Sequence, residues 1–280
     1  MTTARAPLQT GSSLYYAVQT APTAQRATLA DWVAWWHEVS SIPLTVQDPG
    51  VAEKKLLWWQ QEVHAAEQGR ASHPLLQRLH PGSDLAPPVA LWHSQLQGLL
   101  PLIGNGRWLD EPARQEHALA TTGAAAEGAA WILGVRSRLG LQAARHLGAA
   151  LRQGHQLARL GQDARLGLLH IPISTLQAHD VKAHELLRPQ PSGSGPAQWP
   201  HLLNHLGRTI EAELNQYHDQ ARALAPSERI ALIPLSVLAD LQLALTQTIS
   251  RQGDRVLHER IILTPLRKWW ISTRSRARRR

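Results

Sequence analysis

Cysteine is absent from this 280-residue chain. That excludes disulfide scaffolds, thiolate nucleophiles and Cys-ligated zinc or iron–sulfur centres together. Phenylalanine is also absent, methionine occurs once and tyrosine three times, so aromatic packing falls almost wholly to eleven tryptophans. Strand-forming runs of Val, Ile and Thr are scarce beside Ala, Leu, Gln and Arg, which places the chain in the all-α class. Long apolar runs are missing too. The longest, Ile230 to Leu245, contains Pro234 and Asp240 and falls short of a bilayer span. Met1 to Ser13 lacks the apolar core of a signal peptide, so the expected location is cytoplasmic, free or on the membrane periphery. There is no H-E-x-x-H pair, no Gly-rich phosphate loop and no nucleophile elbow.

Charge is unevenly placed. The formal net charge is +8, yet seven basic residues and no acidic one lie between Arg267 and Arg280, which leaves the rest close to neutral. The basicity belongs to a tail rather than to a broad face, so no specific nucleic-acid partner is expected. Trp269-Trp270 beside Arg267-Lys268, with further arginines behind, joins interfacial aromatics to cations. That combination suits an anionic membrane surface. A solubilising disordered tail and nonspecific nucleic-acid binding are the competing readings.

Taken in order, residues 1–11 read as a flexible leader and a short helix starts at Ser12-Ser13. Thr23 to about Ser40 forms an amphipathic helix with Leu29, Trp32, Val33 and Trp36 on its apolar side. Trp32, Trp35 and Trp36 cannot share one face, so at least one should meet a second partner or a lipid-like ligand. Pro43 is expected to break the helix. Asp48 then caps another, with Pro49 in its first turn. One broken and one long helix occupy Pro88 to Gly140, the second containing the small residues Thr121 to Ala130. Leu147, Leu151, Leu157 and Leu160 mark a helix to about Asp163, with Gly and Ala between them where a neighbour can approach. Gly161 and Gly167 loosen its end, and Ile171-Pro172 marks the exit from helix. Residues 189–198 within the stretch from Pro189 to Pro200 are a flexible loop inserted in one domain. Helices resume from Trp199 to Leu224 and from Pro226 to Ile249. The domain spans 12–266 and the tail 267–280.

Several of these segments carry recognisable wording. Gly161-Gln162-Asp163-Ala164-Arg165-Leu166-Gly167, followed by Leu168 to Pro172, resembles the second signature of the squalene/phytoene synthase family, close to N-I-L-R-D-V-G-E-D-A-R-R-G-R-I-Y-L-P. His37-Glu38-Val39-Ser40-Ser41-Ile42-Pro43-Leu44 is similar to the first, R-E-V-D-D-I-V-D-E. Asp48-Pro49, Lys55-Leu56 and Trp58-Trp59 match D-P-x-x-A-x-x-K-L-x-W-W-R-x-E, and Ser13, Pro22 and Arg26 stand where the family opens with S-F-Y-x-A…L-P…R. Tyr217 and Ala221 resemble A-x-x-Y-Y-x-x-A. The likeness covers roughly residues 12–275.

The resemblance implies a single-domain isoprenoid-synthase-like helical bundle around a central cavity, with the small-residue helix lining a prenyl channel. It also implies Mg²⁺ held against a prenyl diphosphate by aspartates. Here those positions read Ser40, Ser41 and Leu44 in one signature, and Arg159, Gln162 and Asp163 in the other. Mg²⁺ is usually held through carboxylates and phosphates, and one carboxylate does not organise a multi-metal cluster. Arg159 reverses the charge besides. At an effective dielectric near 20, two like unit charges about 4 Å apart cost about 4 kcal/mol.

The expected protein is therefore a catalytically degenerate member that binds a prenyl or other lipid ligand, or a protein partner, at the membrane surface. The family also includes a respiratory complex I assembly factor. No residue is assigned a catalytic role and no metal or other cofactor is expected. Candidate substrate-binding residues are Ser13, Arg26, Arg159, Asp163 and Arg165. Arg159 and Arg165 can take a phosphate directly, while the plainer alternative pairs Arg159 with Asp163 one turn on. The competing function is an active, Mg²⁺-dependent prenyltransferase condensing two prenyl diphosphates head to head. Histidine is plentiful, but the pairs His201/His205 and His179/His184 fix no third ligand.

Overall fold

A computed structural model describes residues 8–83, 86–104, 107–188 and 194–279. The leader before residue 8 and half of the expected loop, residues 189–193, lie outside them. Among the described residues there is no strand. The chain runs α1 (Ser13–Gln19), α2 (Thr23–Thr45), α3 (Pro49–Glu67), α4 (Pro74–Leu79), α5 (Val89–Leu99), α6 (Glu111–Ala118) and, after a π turn at Leu119–Gly123, α7 (Ala124–Ile132). There follow α8 (Arg138–Ala158), α9 (Leu160–Arg165), α10 (Ile173–Ala178), α11 (Ala183–Leu187), α12 (Trp199–Arg222), α13 (Pro226–Ala231), α14 (Ile233–Gln252), α15 (Arg255–His258) and α16 (Pro265–Arg279).

Local chemistry starts several helices. The Asp48 carboxylate accepts from Val51 N at 2.9 Å, with Pro49 at the first helical position. Ser12, Asp110 and Ser137 cap α1, α6 and α8 in the same way. At the far end of α9, Gly167 takes a positive φ of 79°. Its N–H donates to Ala164 O and the N–H of Leu168 to Asp163 O, which closes the helix in a Schellman motif.

Four expectations need correction. Pro43 does not end α2, which continues to Thr45. It sits in the last turn, so only the bond to Val39 O is lost, and Val46 N still reaches Ile42 O at 3.1 Å. The buried face of α2 is Leu29, Trp32, Trp35, Val39 and Ile42; Trp36 is only half-buried. The helix expected to reach Asp163 without interruption bends at Arg159, where φ is −110°. There the Ala158 carbonyl accepts from Ile261 N at 3.1 Å, a partner distant in sequence. Likewise the helix expected from Pro226 is interrupted at Leu232, between α13 and α14.

Helix α8 is the hub, touching α7, the π turn, α12, α14, α6 and α9. Its glycines explain how closely. A Cβ on Gly148 would lie 2.3 Å from Thr122 O, and one on Gly154 would lie 2.1 Å from the Gln242 amide. In α9, a Cβ on Gly161 would lie 2.1 Å from Leu257 O. Between α2, α5 and α7 the interior is filled by indoles. Trp32 and Trp35 stack at 5.3 Å, and Trp92 meets them at 4.6 and 4.5 Å. Trp32 Nε1 donates to Ala125 O at 2.7 Å, and its ring lies over Gly128, where a Cβ would approach Cζ2 to 2.3 Å. The small residues of this helix thus make room for a tryptophan.

Candidate anion site on helices α8 and α9

One face of α8 and its continuation carries Arg152, His155, Arg159 and Asp163. Their spacing of three, four and four keeps them on one side of a helix. His170 and Arg260 come in from the segments after α9 and α15. The Arg159 guanidinium meets Asp163 Oδ1 at 3.2 Å, as the alternative reading of these two residues expected. The second oxygen, Oδ2, lies 3.5 Å from His170 Nε2. Burial alone would push the Asp163 carboxyl up, but the His170 hydrogen bond and the Arg159 charge hold it below the usual carboxylate range.

The cations outnumber this single acid. Arg152 is half-buried, and its Nε is buried without a hydrogen-bond partner. Burial lowers the proton affinity of its guanidinium; Asp163 opposes that and Arg159 reinforces it. Burial and the Arg159 charge act the same way on Arg260, again opposed by Asp163. Burial and Arg260 lower Lys268, whose Nζ donates to Gly11 O at 3.1 Å. His155 is exposed, and its pKa is pushed down by desolvation and by the Arg152, Arg260 and Arg159 charges around it. His117, buried against Gly98 O at 2.8 Å, is pushed down to about 4 by burial and then by Arg152. Both imidazoles are therefore neutral at pH 7, and the arginines carry the charge.

The first signature run has different surroundings. Ser40 Oγ donates to His37 O at 3.4 Å and Ser41 Oγ to Glu38 O at 2.8 Å, so both hydroxyls turn back onto their own helix. Leu44 is exposed, and Glu38 lies 3.9 Å from His73 Nε2. This donor set does not fit Mg²⁺, which needs free carboxylate oxygens. In the second run the one carboxylate is already engaged by Arg159 and His170. Among the described residues, no group of three or more His, Asp or Glu side chains is arranged to hold a metal ion.

Of the other candidates, Arg26 Nη2 donates to Gln19 O and Ala21 O at 3.2 and 3.1 Å, which staples the turn between α1 and α2. Ser13 is the first residue of α1, and its neighbour Ser12 makes the cap. Arg165 is exposed at the end of α9. Arg152, His155 and His170 were missed in the sequence although all lie in the Leu147–Pro172 stretch. The spacing of Arg152, His155 and Arg159 was the available signal. Arg260 offered none, because only the fold brings it there.

Solved structures define the class of protein. A dehydrosqualene synthase in complex with ligand superposes with a TM-score of 0.79 at 14% identity, over 95% of this chain and 91% of that one. Squalene synthase HpnC from Alicyclobacillus acidocaldarius gives 0.72 at 13%, over 85% and 88%. YisP from Bacillus subtilis gives 0.66 at 17%, over 93% and 89%. At these identities the likeness shows a shared all-α isoprenoid-synthase fold. No curated protein sequence matches. The squalene/phytoene synthase family model matches residues 8–268, and the chain belongs to that family.

Proposed function

We propose that this protein is a catalytically degenerate member of the squalene/phytoene synthase family that holds the anionic headgroup of a prenyl or related lipid without Mg²⁺ and without ionising it. The observation that carries this reading is Arg152: a partly buried guanidinium whose Nε has no partner, beside Arg159 and Arg260, with the one nearby carboxylate already paired twice. Clustered cations that share a single acid repel one another, and a phosphate or diphosphate would supply the missing charge through forked hydrogen bonds. Where the family's metal would assist departure of the leaving group, this site offers fixed cations and a neutral His155. Those groups suit binding; the aspartates that would organise metal-assisted ionisation are Ser40, Ser41, Leu44 and Arg159 here.

The test is incubation of the purified protein with farnesyl and geranylgeranyl diphosphate, with Mg²⁺ and with or without NADPH. The expected result is no pyrophosphate release and no hydrocarbon. Binding of the diphosphate should persist in EDTA and weaken at least about tenfold in Arg159→Ala, the loss of one charge-assisted contact. Turnover abolished by EDTA would overturn the proposal in favour of an active prenyltransferase. Absence of both turnover and binding would leave a scaffold that acts through a protein partner.

A further inference from the structure

Helix α16 is amphipathic in the reverse sense. A surface helix normally turns its apolar stripe to the protein and its polar stripe to water. Here the fully buried residues of α16 are Ser272 and Ser275. Arg279 joins them on that face, bonding Asp240 Oδ2 at 2.7 Å and Ser275 Oγ at 2.6 Å. Asp240 in turn lies 3.0 Å from His218 of α12. The opposite arc carries Leu266 at 74% exposure, with Trp269 and Trp270 both at 52%. Ile262, just before the helix, is 62% exposed. Arg274 and Arg278 flank the arc in solvent, and the Arg274 guanidinium lies over the Trp270 ring at 5.0 Å. Arg267 is also exposed, with Nη1 bonded to Thr248 Oγ1 at 3.0 Å. No acidic residue follows Glu259.

From this we infer that the outer face of α16 is a rigid docking surface for an anionic lipid bilayer, with Leu266, Trp269 and Trp270 entering the interface and Arg274 and Arg278 meeting lipid phosphates. The inference is independent of the ligand site on α8 and α9. Charge selects the occupant. A second copy would set one acid-free cationic face against another, whereas anionic headgroups neutralise the arginines while the indoles settle at headgroup depth. No helix among the described residues is long and apolar enough to cross a membrane, so the proposed contact is peripheral. The network of Arg279, Asp240 and His218 fixes which arc faces outward.

The experiment is co-sedimentation of the full chain with vesicles of phosphatidylcholine alone and of phosphatidylcholine containing phosphatidylglycerol. Binding is expected to the anionic vesicles and to weaken with added salt. Trp269→Ser with Trp270→Ser should reduce partitioning at least about tenfold, and Arg274→Gln with Arg278→Gln about thirtyfold, at about 1 kcal/mol per basic residue. Trp58→Ser, at an exposed tryptophan on α3, should leave partitioning unchanged, and thermal melts of each variant report folding. Equal binding to both vesicle types, an equal loss in Trp58→Ser, or no vesicle binding would overturn the proposal. So would finding that this face instead mediates self-association or RNA binding.

Discussion

The space between α2, α5 and α7 and the crevice along α8 and α9 lie in one bundle but solve opposite problems. In the first, Trp32, Trp35 and Trp92 pack face and edge against one another, with Gly128 beneath. Shape is complementary there, and Trp32 Nε1 has its acceptor in Ala125 O. In the second, Arg152, Arg159 and Arg260 share one carboxylate, and the Arg159 charge lowers the proton affinity of the other two. The contrast is between apolar packing and gathered charge; an unpartnered polar atom occurs in each, Trp35 Nε1 in the first and Arg152 Nε in the second, so it is the excess of cations that marks the second as the place where a ligand would act.

That contrast can be broken by substitution. Gly128→Val is the harshest test, because even a Cβ would meet Trp32 at 2.3 Å. Overpacking of this kind should cost about 3 kcal/mol, read as a lower midpoint in urea unfolding. If the midpoint is unchanged, the indole packing is wrong. Asp163→Asn should come next, at about 2 kcal/mol, because it leaves Arg159 and His170 without their anion.

The same residue sets a pH limit. A carboxyl whose folded pKa is depressed contributes stability that is present above its unfolded value and is lost as pH falls through the folded one. The wild type should therefore lose this contribution below about pH 4, the unfolded aspartate range. Asp163→Asn should lack that part of the acid limb in a stability–pH series.

Arg152→Gln sharpens the comparison in the other direction. Removing one of three clustered cations should raise the stability of the unliganded protein by about 1 kcal/mol. The same change should weaken diphosphate binding about tenfold. A variant that loses stability and keeps binding would show Arg152 to be ordinary framework. The smallest effect is expected at the first signature run. Ser40→Ala with Ser41→Ala should change stability by under about 0.5 kcal/mol, and millimolar Mg²⁺ should leave both melting curves where they are.

Much of the fold was legible in linear order. Asp48-Pro49 announced the start of α3, and Gly148 and Gly154 announced a helix that neighbours approach closely, whereas Gly161 reads in the sequence as a loosened helix end and in the fold admits Leu257 O. The bend at Arg159 was not legible, because Ala158 O is taken by Ile261 N from the end of the chain. Pro43 misled for a simpler reason: in a last turn a missing N–H leaves few bonds to break.

Sequence by itself determined the helical class and the family wording, and the resemblance places Ser40, Ser41, Leu44 and Arg159 where the family carries aspartates, since each of these is a matter of residue type at a position. The tertiary structure alone decided which of three neighbouring tryptophans are buried, which arc of α16 faces out, and that Arg260 joins Arg152 and Arg159. Those outcomes depend on partners brought together from distant segments, and hydrophobic periodicity within one helix carries no information about what lies across from it.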